Sequence, residues 1–282
     1  GQGLDIRPDD VAVSWLPLYH DMGLIGAWLG TLYFGTPVAI LSPLAFLARP
    51  ARWLWALHAH RGTMSPAPNF AFDLCVRKVT DEEIDGLDLS CVRMLLNGSE
   101  AVMPDTIERF TQRFAPYGFK PEAMCAVYGL AECAVGLAIA PVGRLPRIDV
   151  IAREPFQQTR QAVPASSEDA APLRFVSCGM PLPDHAIQIV DDTGRPVAER
   201  VEGHVLFRGP SVTRGYFRNP DATREVLRPG GWMDSGDLGY WAANELFLTG
   251  RRKDVIIKAG RNIYPQEVEE LGARIEALDL DD

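Results

Sequence analysis

Residues 92–130, VRMLLNGSEAVMPDTIERFTQRFAPYGFKPEAMCAVYGL, decide the architecture. "VRMLLNG" is a short apolar run that stops at Gly98, and "AMCAVYGL" is a second run that stops at Gly129. Both have the length and punctuation of buried strands. Between them, "PDTIERFTQRFA" sets its charges on one face and carries Pro104 early, where a helix tolerates proline. The alternation continues upstream. "VAVSWLP" reads as a strand, "RPARWLWALHAHR" as a helix with Pro50 near its first turn, and "NFAFDLCVRKV" as another helix. Strand–helix alternation implies an α/β fold with a mostly parallel sheet and flanking helices over residues 1–140.

Composition bounds the rest. The chain has 282 residues, 47% hydrophobic and 23% charged, with a net charge of −9. It is long enough for more than one domain. The acidic balance offers no basic stripe for nucleic acid and no attraction to an anionic membrane surface. Five scattered cysteines, with no CxxC and no zinc spacing, read as buried free thiols in a reducing cytoplasm. From Met22 to Ala48 no side chain is charged, but Pro37 and Pro43 interrupt the run. It therefore predicts a short buried helix at about 22–34 and a buried strand at 38–41, not a membrane span. Residue 1 is Gly, no signal-peptide pattern follows it, and the chain stops in "ARIEALDLDD". A portion of a longer protein is expected.

The character changes near Pro141. Residues 141–172, rich in Pro, Arg, Ser and Glu, predict a long irregular excursion. A β-rich subdomain is expected over 141–250, built from "RFVSC", "AIQIV", "HVLFRG" and "ELFLTG" with dense turn signals. Within it, "GWMDSGDLGY" (231–240) puts Asp234 and Asp237 on glycine-punctuated backbone. Two such carboxylates could bind a metal, move a proton, hold a sugar's hydroxyls or cap a turn. Residues 251–282 run into "YPQEVEELGARIEAL", which reads as a helix with Pro265 at its start.

Loop motifs fall where the strands end, which is where open α/β sheets bind ligands. In order, PLYHDMG (17–23), NGSE (97–100), YGLAE (128–132), DSGD (234–237) and GRRKDVIIKAGRNIYPQEVE (250–269) resemble the adenylate-forming superfamily. Within it, "SWLPLYHDMGLIG", "SPLAFL", "PNFAFDLCVRK" and "GRNIYPQEVE" look most like the fatty acyl-AMP ligases, with long-chain acyl-CoA synthetases the alternative branch. The resemblance covers essentially the whole chain.

It implies ATP-dependent activation of a fatty acid to acyl-AMP, for transfer to an acyl carrier protein, with CoA the alternative acceptor. A non-catalytic nucleotide- or lipid-binding role is the rival of another class. Asp237 would accept the ribose hydroxyls, leaving Asp234 to cap a turn. Tyr128 would stack on adenine, with Asn97, Gly98 and Ser99 lining the base. Glu132 would hold Mg²⁺, Arg251 would reach ribose or phosphate, and Lys253 would sit at the hinge to a mobile C-terminal lid beginning at 251. His20 would position the carboxylate and stabilise charge at the α-phosphate. Met22 and Phe70 would line the acyl slot. His58 and His60 look like ordinary helix residues, and His185 and His204 carry no signal.

Two family features are not in these residues: the Gly/Ser/Thr-rich phosphate loop and the distal lysine. The 282 residues alone are therefore expected to be nearly inactive. Residues 133–178 form a long span between Glu132 and the "GMPLP" turn. In acyl-AMP ligases an extra segment here hinders the lid movement that CoA needs, and residues 148–172 resemble it.

Overall fold

The computed structural model describes residues 2–167, 169–258 and 261–264. They form two compact units, the first of residues 1–148, 176–185 and 209–215, the second of 149–175, 186–208 and 216–282.

The first unit is built on a seven-stranded sheet. Its strands are β1 (Ala12–Ser14), β2 (Val38–Ile40), β3 (Met64–Ala67), β4 (Met94–Asn97), β5 (Met124–Tyr128), β6 (Ala138–Ile139) and β9 (Met180–Pro181); β7 (Ile148–Ile151) and β8 (Leu173–Val176) pair separately. The order is β2-β1-β3-β4-β5-β6-β9. The first five strands run parallel, and β6 and β9 add antiparallel pairs. Flanking helices are α1 (Gly30–Phe34), α2 (Pro43–Ala48), α3 (Ala51–Ala59), α4 (Asn69–Lys78) and α5 (Pro104–Phe114). Trp53 of α3, Phe72 of α4 and Phe110 of α5 are fully buried, with rings at 5.5 Å and 5.1 Å along the series. Burying each such ring contributes roughly 1.5–3 kcal/mol. The one polar edge in this cluster is satisfied: the Trp53 indole N–H donates to Ser65 Oγ on β3 at 2.9 Å.

The expected 22–34 helix is present, as a π-helical segment Met22–Leu29 running into α1. It is not buried throughout. Met22, Gly23, Ala27 and Thr31 face inward, while Leu32 is 70% and Tyr33 83% exposed. Nor is β2 a buried strand, since Ile40 is exposed. β2 lies at the end of the sheet order, with β1 as its one neighbour there, so half its surroundings are missing. A run without charge says which side chains tolerate burial, not which are buried.

The second unit is antiparallel: β10 (Ala186–Val190), β11 (Gly203–Arg208), β13 (Trp232–Ala242) and β12 (Leu227–Arg228), with β14 (Glu245–Arg251) also on β13. The expected irregular excursion holds β7 and the helix α6 (Arg153–Thr159), and β8 follows. Its Pro and Ser residues punctuate short elements. Likewise "GWMDSGDLGY" is mostly one strand, β13, not a glycine loop. Gly239 lies where a Cβ would come within 2.6 Å of the Phe247 carbonyl oxygen, so close strand approach selects glycine there. A second helix, α7 (Pro220–Val226), is capped by Asn219, whose side chain accepts from the Ala222 N–H. The core is aromatic: Phe156, Phe175, Tyr240, Phe247 and Tyr264 are buried together. β15 (Ile256–Lys258) and β16 (Arg261–Ile263) pair antiparallel. The helix expected from Pro265 lies outside the described residues.

Candidate active site

Five parallel strands direct their carboxyl ends to one edge of the first unit's sheet. His20 and Met22 follow β1, Phe70 follows β3, Asn97 ends β4 with Gly98 and Ser99 next, and Tyr128 ends β5. Glu132 sits beyond it in the short 3₁₀ turn Ala131–Cys133. The structure joins several of these loops. Ser99 Oγ donates to the Met22 sulfur at 2.9 Å, so NGSE and PLYHDMG touch. Asn97 Nδ2 donates to Asn69 Oδ1 at 3.2 Å, and that oxygen also accepts the Met103 N–H at 3.1 Å. Asn97 Oδ1 is buried without a hydrogen-bond partner among the described residues. Tyr128 is 8% exposed.

His20 stands apart from these contacts. Its Nδ1 lies 3.3 Å from the Met22 N–H and 3.0 Å from Asp21 Oδ1, and the side chain is half exposed. Phe70 is 44% exposed, and its ring meets Trp15 edge-on at 6.1 Å. Trp15 in turn stacks on Phe46 at 3.9 Å, and its indole N–H has no hydrogen-bond partner among the described residues. Trp15 and Asn69 were not singled out from the sequence. Their signal was position alone, one residue beyond a strand and at the start of a helix.

The glycines of these loops have separate reasons. A Cβ at Gly98 would lie 2.7 Å from the Val127 carbonyl oxygen on β5. At Gly129 it would lie 1.6 Å from the Val135 carbonyl oxygen, so no other residue fits that backbone. The chain bends back at Ala134 (φ 50°) and Val135 (φ 77°), left-handed conformations that cost roughly 1–3 kcal/mol each in non-glycine residues. The turn that carries Glu132 is therefore strained and tightly packed.

In the second unit the two carboxylates have different surroundings. Asp234 is 7% exposed; its Oδ1 accepts the Gly236 N–H at 3.0 Å, which caps a turn. Its Oδ2 accepts from Arg228 at 2.8 Å and Arg252 at 3.2 Å. Asp237 pairs with Arg251 across β13 and β14, and Arg251 Nε lies 3.6 Å from Asp237 Oδ1. Arg251 and Lys253 are exposed. Asp234 is thus committed to structure, while Asp237 keeps a cation beside it.

Among the described residues, no group of three or more His, Cys, Asp or Glu is placed to hold a metal ion. Mg²⁺ does not need such a cage, because it is commonly held by one or two carboxylates plus substrate phosphates. Half-buried Glu132 fits that mode. The five cysteines are all free, and burial pushes the Cys125 thiol up to about 12. Among the described residues, no helix is long and apolar enough to cross a membrane.

Strand order, loop placement and these side chains define an adenylate-forming architecture. The family model for AMP-binding enzymes matches residues 2–217, and the chain belongs to that family. It is 39% identical over 95% of its length to a putative acyl-CoA synthetase of Caulobacter vibrioides, covering 47% of that protein. It is 38% identical over 93% of its length to a medium-chain-fatty-acid–[acyl-carrier-protein] ligase of Moorena producens, covering 46% of it. A solved structure from studies of fatty acyl-adenylate ligases of E. coli and L. pneumophila superposes with a TM-score of 0.93 at 39% identity, over 96% of this chain and 49% of that one. The chain spans about half the length of the curated relatives it matches.

Proposed function

We propose that the complete protein is a fatty acyl-AMP ligase, which joins a fatty acid to the AMP moiety of ATP, releases pyrophosphate and passes the acyl group to an acyl carrier protein. The observation that carries this reading is the joining of strand-end loops in the first unit, above all Ser99 on Met22. In this reading Tyr128 and the Asn97–Ser99 stretch hold adenine, and Asp237 accepts the ribose hydroxyls with Arg251 beside it. His20 orients the fatty carboxylate toward the α-phosphate, and Met22, Phe70 and Trp15 border the acyl chain. Glu132 would hold Mg²⁺, which neutralises phosphate charge when bound. The chemistry asked of these residues is positioning and charge stabilisation, with no covalent intermediate on the protein.

The choice of acceptor is supported by α6. Its Phe156 ring lies 5.3 Å from that of Tyr264, on the stretch after Lys253. A segment that grips the chain just beyond the hinge disfavours the lid rotation on which CoA transfer depends. Incubating the complete protein with fatty acid and Mg·ATP, with and without CoA, tests this by mass spectrometry. Accumulating acyl-AMP that CoA does not discharge is expected. Rapid stoichiometric acyl-CoA would assign the protein to the acyl-CoA synthetases instead.

A further inference from the structure

We infer that His185 and Ser211 form a positioning brace for the turn that carries Glu132. Both residues belong to the first unit, although the chain leaves that unit and returns between them. Residues 209–215 run beside the turn and hold two successive carbonyls of it. The Thr213 N–H donates to the Glu132 carbonyl oxygen at 2.8 Å, and Ser211 Oγ donates to the Cys133 carbonyl oxygen at 3.0 Å. The Cys133 sulfur is also 3.3 Å from Ser211 Oγ.

Ser211 is itself held from behind. His185 Nε2 lies 2.7 Å from Ser211 Oγ, and Nδ1 lies 2.9 Å from the Pro183 carbonyl oxygen. A carbonyl only accepts, so Nδ1 carries a proton and fixes the ring's orientation; with Nε2 as acceptor, the single Ser211 hydroxyl hydrogen is shared between Nε2 and the Cys133 carbonyl oxygen. Gly209 leaves room for that ring, since a Cβ there would come within 2.2 Å of His185 Cδ2. The braced turn is the strained one: Ala134 and Val135 hold positive φ, and Gly129 packs against the Val135 carbonyl. Strained backbone persists where its surroundings over-determine it. The His185–Ser211–Cys133 chain supplies part of that constraint, next to the carboxylate whose placement the chemistry needs.

This inference rests on the role proposed for Glu132, so the test separates the two. Ser211→Ala and His185→Ala are compared with the conservative Ser211→Thr and His185→Gln in the complete protein, first by amide hydrogen exchange and then by ATP–pyrophosphate exchange. Exchange over 130–136 is expected to quicken about tenfold in the alanine variants, the equivalent of one hydrogen bond, and to stay near wild type in the conservative ones. The adenylation kcat is expected to fall by about tenfold with the KM for fatty acid unchanged, as for a lost transition-state contact. Unaltered amide exchange in both alanine variants would overturn the brace. Faster amide exchange, with Glu132→Ala leaving the Mg²⁺ requirement untouched, would support the brace and sink the role given to Glu132.

Discussion

Tyr264 donates its phenolic hydrogen to Glu202 Oε2 at 2.9 Å, inside the second unit, where both residues are almost fully buried. The other Glu202 oxygen accepts the Thr249 hydroxyl. Burial is the larger influence on this carboxyl and raises it above the ordinary 4.5, with the two hydroxyl donors opposing. Below 4.5 the group is protonated in folded and unfolded chains alike. As pH rises from there to the raised folded value, the unfolded chain releases the proton first, and stability falls across that window. Glu202→Gln removes the titration. Its melting temperature relative to wild type is expected to rise as pH climbs above 4.5 and to level off once the folded carboxyl has ionised, and a flat or falling difference would contradict the assignment.

The two carboxylates of β13 are expected to separate cleanly. Asp234→Ala removes a turn cap and both arginine contacts, and is expected to lower stability by about 1–3 kcal/mol in chemical denaturation. Because Arg228 and Arg252 are partly exposed, they regain water and the loss stays below that of a sealed ion pair. Asp237→Ala is expected to leave stability nearly unchanged and to weaken Mg·ATP binding to the complete protein by about 1.5–3 kcal/mol. Calorimetry that gave the reverse pattern would exchange their roles.

Gly129→Ala is expected to do more harm than any other single methyl added in the strand-end loops. The obstacle is the Val135 carbonyl, backbone that cannot swing aside as a side chain would. Thermal melting should show a clear loss relative to Gly143→Ala, where a Cβ meets nothing within 4 Å although φ is +75°. Equal melting temperatures for the two variants would refute the close approach.

Phe156→Ala tests the short helix α6. The ring is fully buried, 5.7 Å from Phe175 and 6.1 Å from Tyr240. Its removal is expected to cost about 3–5 kcal/mol. Tryptic cleavage at the exposed Arg251 and Arg252 should also accelerate as the stretch reaching Tyr264 loosens. Unchanged cleavage would uncouple α6 from the residues after Lys253.

The parallel half of the fold was legible because its punctuation is local. Gly98, Pro104 and Gly129 mark where strands and helix begin and end, and no distant residue is needed to read them. β13 was not legible. Gly231, Gly236 and Gly239 break the alternation that marks a strand, and what holds it together is pairing with β11, β12 and β14. The burial of 22–34 was misread because a run without charge does not say which of its side chains the fold covers. In the site, the strand-end residues could be listed from their order along the chain. His185 and Ser211 could not, since their contact forms only when 176–185 and 209–215 return to the first unit. The bidentate Arg200–Asp149 pair, which also receives the Tyr240 hydroxyl, escaped because it joins residues far apart along the chain within the second unit.

The apolar side of the 22–34 helix has a practical consequence. Leu32 and Tyr33 on this helix and Leu44 on α2 are exposed apolar side chains, and the outer edge of β2 has no partner in the described sheet. Such a surface is adhesive, but the molecules also repel one another through a net charge of −9. Repulsion between exposed charges reaches about 10 Å at 0.1 M salt and about 3 Å at 1 M, whereas apolar attraction does not fade with salt. Added salt should therefore cloud a solution of the 282-residue chain instead of clearing it, with light scattering climbing as the Debye length shrinks. Leu32→Lys should delay that onset even though it trims the net charge, because it removes the glue faster than it weakens the repulsion.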